Sequence, residues 1–288
     1  MRLDAGTFLL QWATGGLAFT WFTTRRRLVG LGYGWLMRGV YLLIAVGALV
    51  CAVAFGSNLV VRIAAAGVAS AALAALGASI ALRRAGVSGQ QSEHDRRTAR
   101  VAAMTGIDRG AMIAAAAPTN RHRREFPPAL DLIAPAIGII GLVAAGVDAG
   151  GSSWLAVARL LAGAAFLGAI TDAMLLGHWY LVQPGLPRSL LLELVRAAIY
   201  TWPVEVALLL VRPGMIQVLT GSIDDGWDGT LGWFWLACAI ATLVLLFVTR
   251  AALAEREYSA VMAATGLLYL AILTAFGTDL VARAVLAA

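Results

Sequence analysis

The chain has 288 residues, of which 60% are hydrophobic and only 13% charged, against roughly 25% charged in an ordinary soluble domain. Its formal charge of +6 comes from basic residues clustered beside apolar runs, a pattern that orients a chain in a bilayer, so a nucleic-acid partner is excluded. All 22 basic residues are Arg, which excludes lysine Schiff-base chemistry and fits a GC-rich bacterial genome; Cys51 and Cys238 both lie inside apolar runs, where neither a disulfide framework nor a thiolate metal site is indicated.

Eight apolar runs follow in order, at 6–24, 39–56, 63–82, 129–148, 154–181, 189–211, 230–249 and 258–281. Each is near the roughly 20 residues that span about 30 Å of hydrocarbon. The first is expected to be a retained helix, because its basic cluster, Arg25 to Arg27, follows the apolar stretch, whereas in a signal peptide it precedes it. Arg38 is read with that cluster as a flanking charge. GLGYG at 30–34 lacks the glycine spacing and the preceding strand of a dinucleotide loop and is expected to form an interfacial turn. The third run contains AAAGVASAALAALGAS at 64–79, whose small side chains permit close packing within the chain or against partner subunits.

The long connection at 85–128 is too short for a soluble enzyme domain and is expected to hold a short surface helix. It divides the chain into helices one to three (1–84), an Arg-rich connection (85–128) and helices four to eight (129–288). Asp131 begins the fourth run. The fifth contains TDAMLLGHWYLVQPG at 171–185, with Asp172 and His178 in a stretch otherwise suited to hydrocarbon. An ionisable group there is costly unless paired, hydrated or functional, which makes it a pointer to a site. Counted from Trp154, Asp172 lies roughly 27 Å and His178 roughly 36 Å along the helix. Trp179 and Tyr180 mark an interfacial aromatic belt, and Pro184 with Gly185 ends the run.

In the sixth run Glu193 and Arg196 are three residues apart, share a helix face and are expected to pair. Glu205 follows Pro203, where a kink is expected. DDGWD at 224–228 has the carboxylate spacing of prenyl-transfer sites without their second acidic motif, and reads as a solvated loop. Arg159 near the start of the fifth run, Glu205 and Asp279 form a sparser polar set, read as an Arg159–Glu205 or Arg159–Asp279 pair.

Arg25, Arg26, Arg27, Arg83, Arg84, Arg188 and Arg250 crowd the odd connections, while the even ones offer Arg62, Arg212 and three Asp. By the positive-inside rule the odd connections are cytoplasmic and both termini outside. The expected fold is therefore an all-α polytopic bundle of about eight transmembrane helices in the cell (plasma or inner) membrane.

Asp131, Asp172, His178, Glu193 and Arg196 then fall in the cytoplasmic leaflet, where one shared polar pocket would compensate them. A quinone suits such a pocket, with His178 titrating, Asp172 or Glu193 relaying protons, and Trp179 and Tyr180 against the ring. Haem ligation is not indicated, since His94 and His122 lie in the third connection, and no metal-ligand spacing is recognisable. The leading expectation is a membrane subunit of a respiratory or other electron-transfer assembly. The competing ones are a proton- or ion-coupled secondary transporter using Asp172, Glu193, Glu205 and Arg159, and a structural subunit whose buried charges are all paired.

Overall fold

A computed structural model describes residues 4–87, 125–149, 152–183, 186–255 and 257–287. Within them the chain is helical, without strands. Eight long helices carry it: α1 (Ala5–Thr24), α2 (Leu31–Ala54), α3 (Leu59–Ala81), α4 (Ile133–Asp148), α5 (Ser153–Val182), α6 (Arg188–Leu210), α7 (Thr230–Ala252) and α8 (Tyr258–Ala287). A 3-10 turn at Pro128–Leu132 leads into α4, and a short helix at Met215–Leu219 separates α6 from α7. The surface helix expected between 85 and 128 falls on residues 88–124, outside those described, as do His94 and His122.

The fold is a helical membrane bundle. Six helices are long and apolar enough to cross a bilayer: α2, α3, α4 with its leading turn, α5, α7 and α8. α1 and α6 are more polar. α1 carries Gln11 and five Thr, and α6 carries Arg188, Glu193, Arg196 and Glu205. α1 accommodates such side chains because it packs among α2, α4 and α5, so that Gln11, Thr14, Thr20 and Thr23 are buried against protein. Thr14 and Thr20 donate to the carbonyls of Leu10 and Gly16 one turn back, which satisfies their hydroxyls within the helix.

The α1–α5 crossing depends on missing side chains. A Cβ on Gly15 would lie 1.8 Å from the carbonyl oxygen of Ala164, and one on Gly168 would lie 2.3 Å from the carbonyl carbon of Gly15. The two backbones are in contact, the close approach that small residues permit between membrane helices.

Two helix limits differ from expectation for one physical reason. α2 begins at Leu31, so GLGYG is no turn; only Gly30 precedes the helix, as its N-cap. α8 runs to Ala287, six residues beyond the apolar run. In both places an Arg interrupts the apolar pattern, and in both it is neutralised by a buried Asp. Arg38, read as a flanking charge, is 2% exposed inside the bundle, and Arg283 is fully buried.

Ser57 Oγ donates to Asp4 Oδ2 at 3.1 Å, and one cavity is lined by Asp4, Ser57, Asp148 and Arg283. The start of α1, the α2–α3 and α4–α5 connections and the end of α8 thus share one end of the bundle, the terminus end. The opposite, Arg-rich end holds Arg25 to Arg27, Arg83, Arg84, Arg188 and Arg250. The DDGWD loop is a folded turn in which Asp225 accepts from the backbone N–H groups of Trp227, Gly229 and Gly232 at the start of α7. Desolvation raises its carboxyl, and these bonds outweigh that effect, holding it below the usual carboxylate value.

Candidate functional site

Five helices place polar side chains in a buried centre in the terminus half of the bundle. On α8, Asp279 and Arg283 are one turn apart, and Arg283 Nε donates to Asp279 Oδ2 at 2.7 Å. α1 joins them through Gln11, which donates from Nε2 to Asp279 Oδ1 at 3.3 Å and accepts from Arg283 Nη2. Phe8, one turn earlier on α1, lies under the guanidinium with its centroid 5.6 Å from Cζ.

Arg159 of α5 turns to the end of α6, where Nε donates to the carbonyl of Leu208 at 2.9 Å and Nη2 to those of Val211 and Pro213 at 2.8 Å. A guanidinium there satisfies carbonyls left without a helical partner and sits at the negative end of the helix dipole. The expected Arg159–Glu205 or Arg159–Asp279 pair is therefore corrected. Arg159 caps α6, and the partner of Asp279 is Arg283.

Glu205 is the unusual member. It is fully buried on α6, and neither carboxyl oxygen has a hydrogen-bond donor among the described residues. Asp279, Arg283 and Arg159 are the charged groups within its electrostatic reach. Three buried donors are likewise unpartnered among the described residues: Arg283 Nη1 and Trp235 Nε1 of α7 in this half, and Tyr33 Oη of α2 toward the Arg-rich end. Trp235 shares the level of Glu205. Trp202 Nε1 of α6 donates to the carbonyl of Ala239 on α7 at 2.9 Å, and Glu205 and Trp235 each lie one turn from that contact toward the terminus end. At that end a cavity of about 640 Å³, within the ~300–1,000 Å³ of small-molecule pockets, is lined by Asp4, Thr7, Phe8, Asp148 and Arg283. Asp4 at its mouth is held ionised: burial raises its carboxyl, but hydrogen bonds from Thr7, Ser57 and the backbone of Gly6 outweigh this and lower it.

The groups expected to share a pocket at the Arg-rich end do not converge. Asp131, on the turn before α4, is engaged by Arg38 of α2 through two bonds of 2.7 Å and by Thr24 of α1 at 3.2 Å. Asp172 is fully buried in the second half of α5, toward the Arg-rich end, and accepts from Tyr41 Oη of α2 at 2.5 Å and Thr20 Oγ1 of α1 at 3.5 Å. His178 is exposed. Six residues on an α-helix turn about 240°, so it leaves α5 on a different side from Asp172. Tyr180 donates to the carbonyl of Pro187 at 2.7 Å, and Trp179 Nε1 to Gln183 at 3.1 Å. Glu193 pairs with Arg26 at 2.7 Å, and Arg196 is exposed, so the expected Glu193–Arg196 pair is corrected to one between α6 and the end of α1. The cavity beside Arg38, Gly34 and Phe126 holds about 40 Å³, far below the ~300 Å³ at which small-molecule pockets begin.

No protein family, characterised protein or solved structure matches this chain.

Buried polar groups are almost always hydrogen-bonded, because stripping one of water without a replacement costs roughly 1–3 kcal/mol and more for a charge. Glu205, Arg283 Nη1 and Trp235 Nε1 depart from that rule in one half of the bundle, and Tyr33 Oη departs from it in the other. This centre leaves an acceptor and two donors without a partner among the described residues. Sequence reasoning found Glu205, Arg159 and Asp279 and missed Gln11, Trp235 and Arg283. The signal for Arg283 was its spacing, since a buried Asp279 one turn earlier shares its helix face.

Proposed function

We propose that this chain is a multi-pass carrier of the cell membrane, a proton-coupled secondary transporter of a small polar solute, with eight crossing helices and both termini outside. The observation that supports it is Glu205: a carboxyl group held fully inside the bundle beside Asp279, Arg283 and Arg159, without a donor among the described residues. A group in that setting needs an exchangeable partner, and a proton is the smallest. The cavity lined in part by Arg283 gives the centre an aqueous approach from one side. Pro203, two residues before Glu205, removes an intrahelical hydrogen bond from α6 and leaves a place where the helix can bend. On this reading Glu205 carries the coupled proton, Arg283 borders the solute, and Asp279 with Gln11 keeps Arg283 in position.

The test is uptake into proteoliposomes across a panel of small cations, anions and neutral solutes with the outside acidic. Wild-type protein should accumulate at least one solute above protein-free vesicles, and Glu205→Gln should lose that accumulation while keeping the wild-type elution volume in detergent. Absence of gradient-driven uptake of any solute by folded wild-type protein would remove the reading.

A further inference from the structure

The charges around Glu205 balance only through Glu205. Arg159 and Arg283 contribute two positive charges and Asp279 one negative, so 2 − 1 leaves one positive charge for Glu205 to cancel. When Glu205 is ionised the centre is neutral. When Glu205 takes a proton the positive charge stands alone, and an uncompensated charge in a low-dielectric interior is strongly unfavourable. Within the centre α1 contributes the neutral Gln11, already engaged with both Asp279 and Arg283, while the carboxylates Asp4 and Asp148 line the outer cavity. α7 contributes the neutral indole of Trp235. A second neutral state exists: a protonated Glu205 together with one monovalent anion.

Two donors for that anion lie on helices beside Glu205: Trp235 shares a buried cluster with Leu209, one turn after Glu205, and with Ala282, next to Arg283. Arg283 Nη1 and Trp235 Nε1 are buried and unpartnered, and the O–H of a protonated Glu205 would be a third. Arg283 is held for the task, since Asp279 takes its Nε and Gln11 its Nη2, leaving Nη1 as the free edge of the fork.

We propose that this centre binds one small monovalent anion together with one proton, the anion on Arg283 Nη1 and Trp235 Nε1 and the proton on Glu205. The inference rests on the carrier reading of the same centre and names its substrate class, an anion of the size of chloride, nitrate or formate. The step is balanced: a carboxylate, a proton and an anion become a carboxylic acid hydrogen-bonded to the anion, with no change of charge and no redox partner. Neither ion enters alone without leaving a net charge, so the two move together.

The experiment measures binding of sodium chloride, nitrate and formate to the full-length protein in detergent between pH 5 and 8, with gluconate at equal ionic strength as control. Wild-type affinity should weaken about tenfold per pH unit where Glu205 is ionised, and adding anion to a weakly buffered sample should take up about one proton per anion bound. Glu205→Gln, neutral at every pH, should bind without that dependence. Trp235→Phe keeps the aromatic packing and loses the donor, and should bind about five- to tenfold more weakly at pH 5 with the wild-type pH slope. No binding of any of the three anions at pH 5, no proton uptake by the wild type, or a pH slope that survives in Glu205→Gln would overturn the proposal. Proton-linked anion binding without any flux in proteoliposomes would remove the carrier reading and leave this site standing. Glu205-dependent uptake of a cation or neutral solute, with no anion bound, would do the reverse.

Discussion

Arg38 and Asp131 show what a buried charge costs when its partner is removed. Their side chains are 3% and 1% exposed, and the guanidinium also lies 4.3 Å from the Phe126 ring centroid and donates to Ser79 Oγ at 3.3 Å. Arg38→Leu would leave Asp131 uncompensated and should destabilise the protein by about 3–5 kcal/mol, while Arg38→Leu with Asp131→Leu should cost clearly less than the sum of the singles. Unfolding in mixed micelles measures this double-mutant cycle, and additive singles would mean that the pair is not coupled. Asp172 is held by neutral donors only. Tyr41→Phe removes its 2.5 Å bond and should cost on the order of 1–3 kcal/mol, whereas Tyr200→Phe, at a ring 73% exposed, should be silent in the same measurement. If the two variants unfold alike, the Tyr41–Asp172 bond carries no stability.

Helices depend on their ends and on their closest contacts. Asp4 caps α1 by accepting from the backbone of Gly6 and Thr7, and it also ties α1 to the α2–α3 connection through Ser57. Asp4→Ala should cost about 1 kcal/mol at neutral pH. The Asp4 carboxyl is lowered from 3.8, so its contribution is fully present above that value and fades as pH falls below it. The difference in unfolding midpoint between wild type and Asp4→Ala should therefore be constant from pH 7 to about pH 5 and shrink on further acidification; a difference that grows with acid would contradict the lowered carboxyl. At the α1–α5 crossing, Gly168→Leu would drive a side chain into the backbone of Gly15 and should abolish the monodisperse protein. Gly77→Ala and Gly266→Ala, where an added Cβ meets nothing within 4 Å, should be neutral or stabilising by up to about 1 kcal/mol. The positions of all eight long helices were legible as apolar runs; their ends were misjudged where Arg38 and Arg283 are paired, because a buried ion pair reads in sequence as two interruptions rather than one neutral contact.

At the scale of the molecule, the membrane class and the depth of Asp172 follow from composition and rise per residue, but partners across helices do not. Arg38 meets Asp131 and Arg26 meets Glu193 only once each helix has a rotation and a neighbour, and a single sequence specifies neither. Asp172 and His178 were assigned to one pocket, although six residues put two side chains on different sides of a helix. Orientation in the bilayer is a further property of the whole chain, and it decides which compartment the cavity opening at Asp4 and Asp148 serves. Arg25 to Arg27, Arg83, Arg84, Arg188 and Arg250 lie at the end opposite that cavity, and removing Arg38 from the loops does not alter the asymmetry. Translocating such clusters is disfavoured during insertion, so the Arg-rich end is expected in the cytoplasm and the cavity outside. In a background carrying Cys51→Ala and Cys238→Ala, a membrane-impermeant maleimide should label Ser152→Cys and Gly226→Cys in intact cells and Ser92→Cys only after permeabilisation. The opposite pattern would turn the cavity toward the cytoplasm, so that the conformation described here would be the one in which the centre exchanges with the inside.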